Sequence, residues 1–409
     1  MVINTLNRCR SLAQTLASLE LLNYARFEIV VVEGPSIDDT SIVLDHYGDR
    51  IKRVHVDEAN LAMSRNVGIR AASGELVAFI DDDAVADPAW LSSLAPLFDD
   101  PHVAAAGGPV MDGTGVTVQA LASATNALGE TKLLTSTTSL PSSPDSTWML
   151  YPMGTNAMFR RSALVEIGGF DETFEYYHDE TDVCRRLLDL GYEVRIANQG
   201  VVHHHALAGE IRLASGMLTT RRSIVKNTTY FALRHGPSRH SYATIVRSLV
   251  AMLDRERDVH RHCELAGLLG DGDLDRHVRE TDAAMDSAFE AAAKAPRTRV
   301  ATWFTNAADF QTSFKACSRE KRRHIVLVSG PPESCDTTAS GLAEQGHTVR
   351  VLTQGKIHHV ELRDRVWIHH LRAFDEDCGD SWRRAVVREL IRIESIESTD
   401  AVIGASVKD

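Results

Sequence analysis

Residues 1 to about 110 predict a doubly wound α/β fold with a mainly parallel sheet. Three observations lead there. Short apolar runs alternate with helical stripes. Carboxylates follow the strand-like runs, at what would be their carboxyl ends. The chain has 409 residues, too many for one ordinary core, so two or more domains are expected.

The elements read as follows. Val2-Ile3 is the stub of a first strand, and Leu12, Leu16 and Leu19 form the stripe of a helix. Phe27 to Val32, FEIVVV, is a β-rich run ending at Glu33-Gly34-Pro35. Asp38-Asp39-Thr40 suits a helix start, with acids near the positive end of the dipole. Arg53 to Val56 is a third strand, and Asn60 to Ser73 a helix closed by Gly74. Glu75 to Ile80 is a fourth strand that runs straight into Asp81-Asp82-Asp83. Ligands of such sheets bind outside the carboxyl ends of the strands. Glu33, Asp38, Asp39 and the aspartate triplet all fall at that edge.

Residues 113–147 are rich in Ser, Thr and Gly with weak periodicity, and are expected to form a loop region able to close over a substrate. A strand-like stretch then leads to a short helix from Ser162, stopped by Gly168-Gly169. Val183, Leu187 and Leu190 mark an amphipathic helix with Asp179, Glu180 and Asp182 at its start. Gly191 ends it, YEVRIA is another strand, and His203-His204-His205 follow. Residues 206–320 read as helical and motif-poor: Leu249, Met252 and Leu253 fit a packed helix, and HVRETDAAMDSAFEAAAKA a long exposed one broken by Pro296. From Arg322 a strand, a Gly/Pro loop, a helix, a Gly and a strand open a second βαβ pattern. The expected division is therefore 1–205, 206–320 and 321–409.

Composition excludes several classes. A net charge of -12 argues against nonspecific nucleic-acid binding, which needs a basic face. No apolar run is long enough to span a bilayer, and the first residues carry no secretory signal. The six cysteines are scattered without a C-x-x-C pair, which argues for reduced thiols in a cytoplasmic protein and against a disulfide framework or zinc site.

Each candidate site has a plain structural reading beside the functional one. The aspartate triplet caps the next helix, or it holds a cation: spaced carboxylates suit Mg²⁺ or Mn²⁺, which also take phosphate oxygens. Asp38 and Asp39 read as helix-capping acids, whereas Glu33, directly after a buried strand, suits hydrogen bonds from a base or ribose. Arg65 is a helix-surface cation, or a phosphate ligand or partner of Asp81. Asp179, Glu180 and Asp182 offset a helix dipole. Three acids in four residues exceed that need, and a general base fits there. His203 and His205 share one face of an extended segment, where one of them would complete a metal site with the aspartates.

NTLNR, VVVEGPSIDDT, NLAMSRNVGIRAASGELVAFIDDDAVADPAWL, GTNAMFRRSALVEIGGFDETF, HDETDVCRRLLDLGY and VVHHH occur in the order seen in family 2 glycosyltransferases. Residues 1–205 thus resemble that family, which has the GT-A fold of nucleotide-diphospho-sugar transferases. The resemblance implies that Asp81 and Asp83 are a D-x-D pair. Asp83 would bind Mn²⁺ or Mg²⁺ on the donor pyrophosphate, and Asp81 the ribose or sugar, with Asp82 and Asp39 among the nucleotide-sugar contacts. Glu33 matches the acid that meets the base or ribose, Arg65 a position near the phosphates, and His203 or His205 a metal-ligand histidine. Asp179-Glu180 matches an acidic pair, usually Glu-Asp, whose second carboxylate is the base in inverting enzymes. The order is reversed here, so both remain candidates.

There are departures. The family's Asn-Gly-Ser segment is replaced by Glu33-Gly34-Pro35-Ser36. The chain starts within the first strand, so a truncated start is expected. From His324 the sequence resembles the opening of a family 4 glycosyltransferase of GT-B type, with too few residues for a whole one; a partial, Rossmann-like segment without catalytic residues is expected.

The implied function is metal-dependent, inverting transfer of a sugar from a nucleotide diphosphate sugar to a carbohydrate, lipid-linked or other hydroxyl acceptor. Polysaccharide or glycoconjugate synthesis in the cytoplasm is expected, with peripheral contact at the inner face of the membrane. Two other readings compete. A nucleotidyltransferase would need a Gly-rich, basic phosphate loop after strand one, and NTLNRCRS has no glycine. A noncatalytic, decayed scaffold fits the C-terminal segment but not the intact acids of the first domain. Donor sugar, acceptor and oligomeric state are not legible.

Overall fold

The structure is a computed structural model that describes residues 1–136, 148–207, 220–269, 273–294, 324–328, 336–372, 379–397, 399 and 401–404. Its first part is built on β1 (Val2–Thr5), α1 (Cys9–Leu19), β2 (Val30–Glu33), α2 (Thr40–Tyr47), β3 (Lys52–His55), α3 (Leu61–Ala71) and β4 (Leu76–Phe79). β5 (Ala84–Ala86), α4 (Trp90–Leu94), β6 (Val103–Gly107), β7 (Val110–Met111), β8 (Val118–Ala120), β9 (Ala122–Asn126) and β10 (Thr131–Leu134) follow. Then come β11 (Trp148–Tyr151), β12 (Ala157–Arg160), α5 (Arg161–Glu166), α6 (Asp179–Asp189), β13 (Glu193–Ile196) and β14 (Val202–His204).

Seven strands make the central sheet in the order β13-β6-β12-β4-β1-β2-β3. β1 to β4 run parallel, β13 is parallel to β6, and β12 is antiparallel to both its neighbours. This is the mainly parallel α/β sheet expected. Its strands are short apolar runs because both faces are covered. Val2, Val30, Val32, Val77 and Phe79 point into one core, while Ile3, Val31, Ala78 and Ile80 point into the other. Leu12, Leu16 and Leu19 are fully buried in the second core, so α1 packs by the predicted stripe. Asn60 caps α3, accepting a hydrogen bond from the Met63 amide at 3.0 Å. A Cβ at Gly68 would lie 2.3 Å from Val2 Cγ1, so only glycine lets α3 lie this close to β1.

The stretch 113–147 is not simply a loop. β9 pairs with β10 and β11 in an antiparallel sheet, and β8 pairs with β7. Small residues hid it: β9 is ASATN, buried along its whole length, so polar and apolar positions do not alternate. Residues 137–147 lie outside the described part.

After β14, α7 (Arg222–His235), α8 (Tyr242–Leu265) and α9 (Asp273–Lys294) pack together. Leu249 and Met252 are buried as expected. α9 is less exposed than its sequence suggested: Thr281, Ala284 and Ala288 are buried on one face. Pro296 lies outside the described residues. A five-stranded sheet follows, of β15 (His324–Val328), β16 (Thr348–Gln354), β17 (His359–Arg363), β18 (Val366–Leu371) and β19 (Ala401–Gly404), with α10 (Asp336–Glu344) and α11 (Gly379–Ile396). β15, β16, β18 and β19 are parallel, and β17 is antiparallel to β18. This sheet docks beside β5, an edge strand of the four-stranded sheet β5-β14-β7-β8, through a buried ion pair: Arg350 Nη2 lies 2.7 Å from Asp87 Oδ2. No described helix is long and apolar enough to cross a membrane.

Candidate active site

The aspartate triplet follows β4 at its carboxyl end, between β4 and β5. β5 pairs antiparallel with β14, and this register sets His204 opposite Ala84, beside the triplet. Asp81, Asp83 and His204 then offer ligand atoms that all lie within 4.8 Å of one another. His204 Nε2 is 3.3 Å from Asp83 Oδ1 and 3.9 Å from Asp81 Oδ2. The imidazole that reaches the aspartates is therefore that of His204. His203 and His205, the two expected from the alternation of a strand, are not among the three grouped ligands. His203 is buried and packs at a tilt against Trp367, with ring centroids 4.9 Å apart. His205 is exposed; its amide donates to the Asp83 carbonyl at 3.0 Å, and its ring lies beside Gly113.

Charge in this cluster is unevenly held. Burial pushes Asp81 up, and pushes Asp82 up to about 7. Burial opposes ionisation of Asp83 too, but the His204 imidazole, the Leu207 amide and Arg8 together outweigh it and hold that carboxyl below its usual range. Asp83 also accepts hydrogen bonds from the Leu207 amide at 3.0 Å and from Arg8 at 3.4 Å. Two carboxylates and one imidazole form a hard, oxygen-rich donor set that fits a divalent ion such as Mn²⁺ or Mg²⁺. Asp81, Asp83 and His204 are the residues that would hold it.

Arg65 links this cluster to a second pair of acids. It is buried on α3, its guanidinium lying 5.5 Å and 5.3 Å from the ring centres of Phe79 and Phe170. Its Nη1 donates to Asp179 and lies 3.9 Å from Glu180, and its charge also acts on Asp81. A Cβ at Gly154 would sit 2.8 Å from Arg65 Nη2, so the bare backbone there makes room for this contact. The Asp179 side chain is 2% exposed and that of Glu180 is 18% exposed. Burial, then the neighbouring Asp179 charge, push Glu180 well above the usual carboxylate range.

The start of α6 is fixed from α7. Tyr177 and His178 have φ of 78° and 69°, a left-handed turn that aims the next two residues at Arg65. Asn227 holds this turn, its amide donating to the Tyr176 and Tyr177 carbonyls at 2.6 and 2.9 Å. Asp182 points the other way, into Arg186 and His235 at 2.6 and 2.8 Å, and so belongs to the fold.

Glu33 and Asp39 stand apart from this centre. Glu33 is buried at the end of β2, paired with Arg53 at 2.7 Å and bonded to Ser41 at 2.9 Å. Asp39 is exposed and its side chain caps nothing. Two site residues, His204 and Arg8, are not among those that the sequence pattern assigned to the site. Strand parity hides His204, because it cannot say which face of β14 turns toward the triplet. Arg8 follows β1 at the same edge that flags Glu33, so its position did carry a signal.

Residues 1–168 match the family model described as glycosyl transferase family 2. They form a family 2 glycosyltransferase domain. A pre-mycofactocin glycosyltransferase of Mycobacterium tuberculosis is 28% identical over 211 residues, 50% of this chain and 42% of that protein. A glucosyl-dolichyl phosphate glucuronosyltransferase of Haloferax volcanii is 32% identical over 111 residues, 26% of this chain and 36% of the relative. A validoxylamine A glucosyltransferase of Streptomyces hygroscopicus is 37% identical over 100 residues, 23% and 24% of the two chains. The chain spans less than half the length of each of these relatives. Among solved structures, Staphylococcus aureus TarS 1–349 in complex with UDP-GlcNAc aligns with a TM-score of 0.48 and 16% identity, covering 71% of this chain and 81% of that one. The aspartate triplet and Arg65 lie inside the family 2 match, whereas Asp179, Glu180 and His204 follow it.

Proposed function

We propose that the chain is a divalent-metal-dependent, inverting glycosyltransferase that moves a sugar from a nucleotide diphosphate donor to a hydroxyl acceptor. One observation carries this reading: a three-ligand cation cluster at a strand's carboxyl end is joined by Arg65 to a second acidic pair with one partly exposed member. Asp81, Asp83 and His204 would hold a divalent ion, which would supply charge neutralisation for the departing diphosphate. Arg8 adds a second positive charge at the same place. Asp179 is committed to Arg65, which leaves Glu180 as the carboxylate that takes the acceptor proton. Burial and the Asp179 charge raise the Glu180 pKa, and a raised pKa strengthens the proton affinity that a base needs. Glu33 and Asp39 are assigned to the nucleotide side, with Arg53 holding Glu33 in place.

The relatives act on chemically different acceptors by their names, so the acceptor class stays carbohydrate, lipid-linked or other hydroxyl. We read the chain as a transferase unit, 1–205, a helical region, 206–320, and a C-terminal α/β unit, 321–409. The parallel strands β15, β16, β18 and β19 support a Rossmann-like reading of the last of these. The test is a donor scan with UDP-, GDP- and dTDP-sugars and simple acceptors, with Mn²⁺, Mg²⁺ or chelator, followed by NMR of the product anomer. Metal-dependent turnover with an inverted anomer is expected. Turnover unaffected by chelator, or a retained anomer, contradicts the mechanism.

A further inference from the structure

Among the described residues, two groups of three potential ligands have their donor atoms within 4.8 Å of one another. One is the Asp81–Asp83–His204 cluster. The other lies on the β17–β18 ribbon: His359, Glu361 and His370. It owes nothing to the transferase reading, and its logic is that of strand register. His359 and His370 are directly opposed across the antiparallel pair, and Glu361 lies two residues on, on the same face as His359. The two rings stack with centroids 4.1 Å apart and planes 7° apart. His370 Nε2 is 3.0 Å from Glu361 Oε1.

Three features prepare these groups as ligands. His359 Nδ1 lies 3.2 Å from the Ile357 carbonyl, so it carries the proton and leaves Nε2 with a free lone pair. A Cβ at Gly355 would lie 2.7 Å from His370 Cβ, so the chain closes on His370 and fixes its position. The opposite face of the ribbon, with Val360, Leu362 and Trp367, packs on Val85 of the transferase domain. The Val360 amide donates to the Thr114 carbonyl at 2.6 Å, so this ribbon is anchored before any ion binds. The plain alternative is that Arg363 alone neutralises Glu361, 2.6 Å away. That pair is well exposed, with side chains 58% and 34% accessible, and such pairs are easily displaced.

We propose that His359, Glu361 and His370 form a second cation site, selective for a divalent transition metal of the zinc class. Two imidazoles and one carboxylate are the donor set such ions prefer, and water completes the shell. The cysteine spacing argued against zinc; this site uses no cysteine. The ion would tie β17 to β18 behind the face that meets the transferase domain.

The test uses the full chain, stripped by chelator and titrated with Zn²⁺ by calorimetry and with Co²⁺ by visible absorption. Wild type is compared with a His359→Ala, His370→Ala double variant and with an Asp83→Ala, His204→Ala double variant. The ribbon variant is expected to lose one zinc equivalent and its cobalt absorption bands, while the Asp83 and His204 variant keeps both. Equal zinc uptake by wild type and the ribbon variant overturns the proposal. Should the alanine variant fail to fold, His359→Gln with His370→Gln, closer in volume, takes its place, and zinc uptake equal to wild type again overturns the proposal.

Discussion

Glu180→Gln and Asp179→Asn are predicted to fail in different ways, although the residues are adjacent. Asp179 is buried and receives the Arg65 guanidinium, itself buried. Neutralising it leaves a cation in the core without its main partner. The expected cost is about 3–5 kcal/mol of stability, that of breaking a buried pair from one side. Glu180 is looser, 3.9 Å from the same guanidinium and partly open to solvent. Its neutralisation should leave stability within ~1 kcal/mol and remove the base. Loss of a general base slows turnover on the order of 100-fold or more, or about 2.7 kcal/mol upward at 1.36 kcal/mol per decade. Because Glu180 is pushed up by burial, wild-type turnover should rise with pH through that raised value, and this limb should vanish in the variant. Initial rates of nucleotide release and urea unfolding separate the two effects. If folded Asp179→Asn loses turnover while Glu180→Gln keeps it, Asp179 is the base. If both keep full turnover, the mechanism is refuted.

Two further outcomes are expected. Arg350→Ala should cost about 3–5 kcal/mol in urea unfolding, because it strands the Asp87 carboxylate, buried at 0% exposure, inside the contact between the five-stranded and the four-stranded sheets. A loss under ~1 kcal/mol would mean the pair does not join them. His178 is buried, and burial lowers its pKa from 6.5 to about 3. The unfolded chain therefore binds the extra proton first as pH falls. Stability from this group is complete above 6.5 and declines toward about 3, at ~1.4 kcal/mol per pH unit. His178→Asn, which tolerates the left-handed backbone, should flatten that part of the unfolding profile between pH 6 and 4; an unchanged slope would remove His178 as its source.

The central sheet was legible because its strands are continuous apolar runs and its helices carry clean stripes, as Leu12, Leu16 and Leu19 do. The β9 sheet was not, because alanine, serine and threonine fill buried positions without marking a period. The site was half legible for a similar reason. Carboxylates at strand ends announce themselves by position: Asp81, Asp179 and Glu180 all interact with the Arg65 charge, and Asp83 with His204 and Arg8. Which imidazole joins them depends on the face that β14 turns to β5, and three consecutive histidines conceal that choice. Asp182 and Glu33 looked alike as acids beside a site; only the tertiary partners, Arg186 and His235 for one and Arg53 for the other, tell how each is held.

Whether the Asp81–Asp83–His204 cluster binds the donor diphosphate through a cation is tested most directly by calorimetry. UDP, GDP and dTDP are titrated into wild type and Asp83→Ala, with and without Mn²⁺. Wild type should bind at least one of these nucleotides about tenfold or more tightly when Mn²⁺ is present, a difference of ~1.4 kcal/mol. Folded Asp83→Ala should show no dependence on the ion. Metal-dependent affinity that survives in Asp83→Ala, or nucleotide binding by wild type that ignores Mn²⁺, would contradict the assignment.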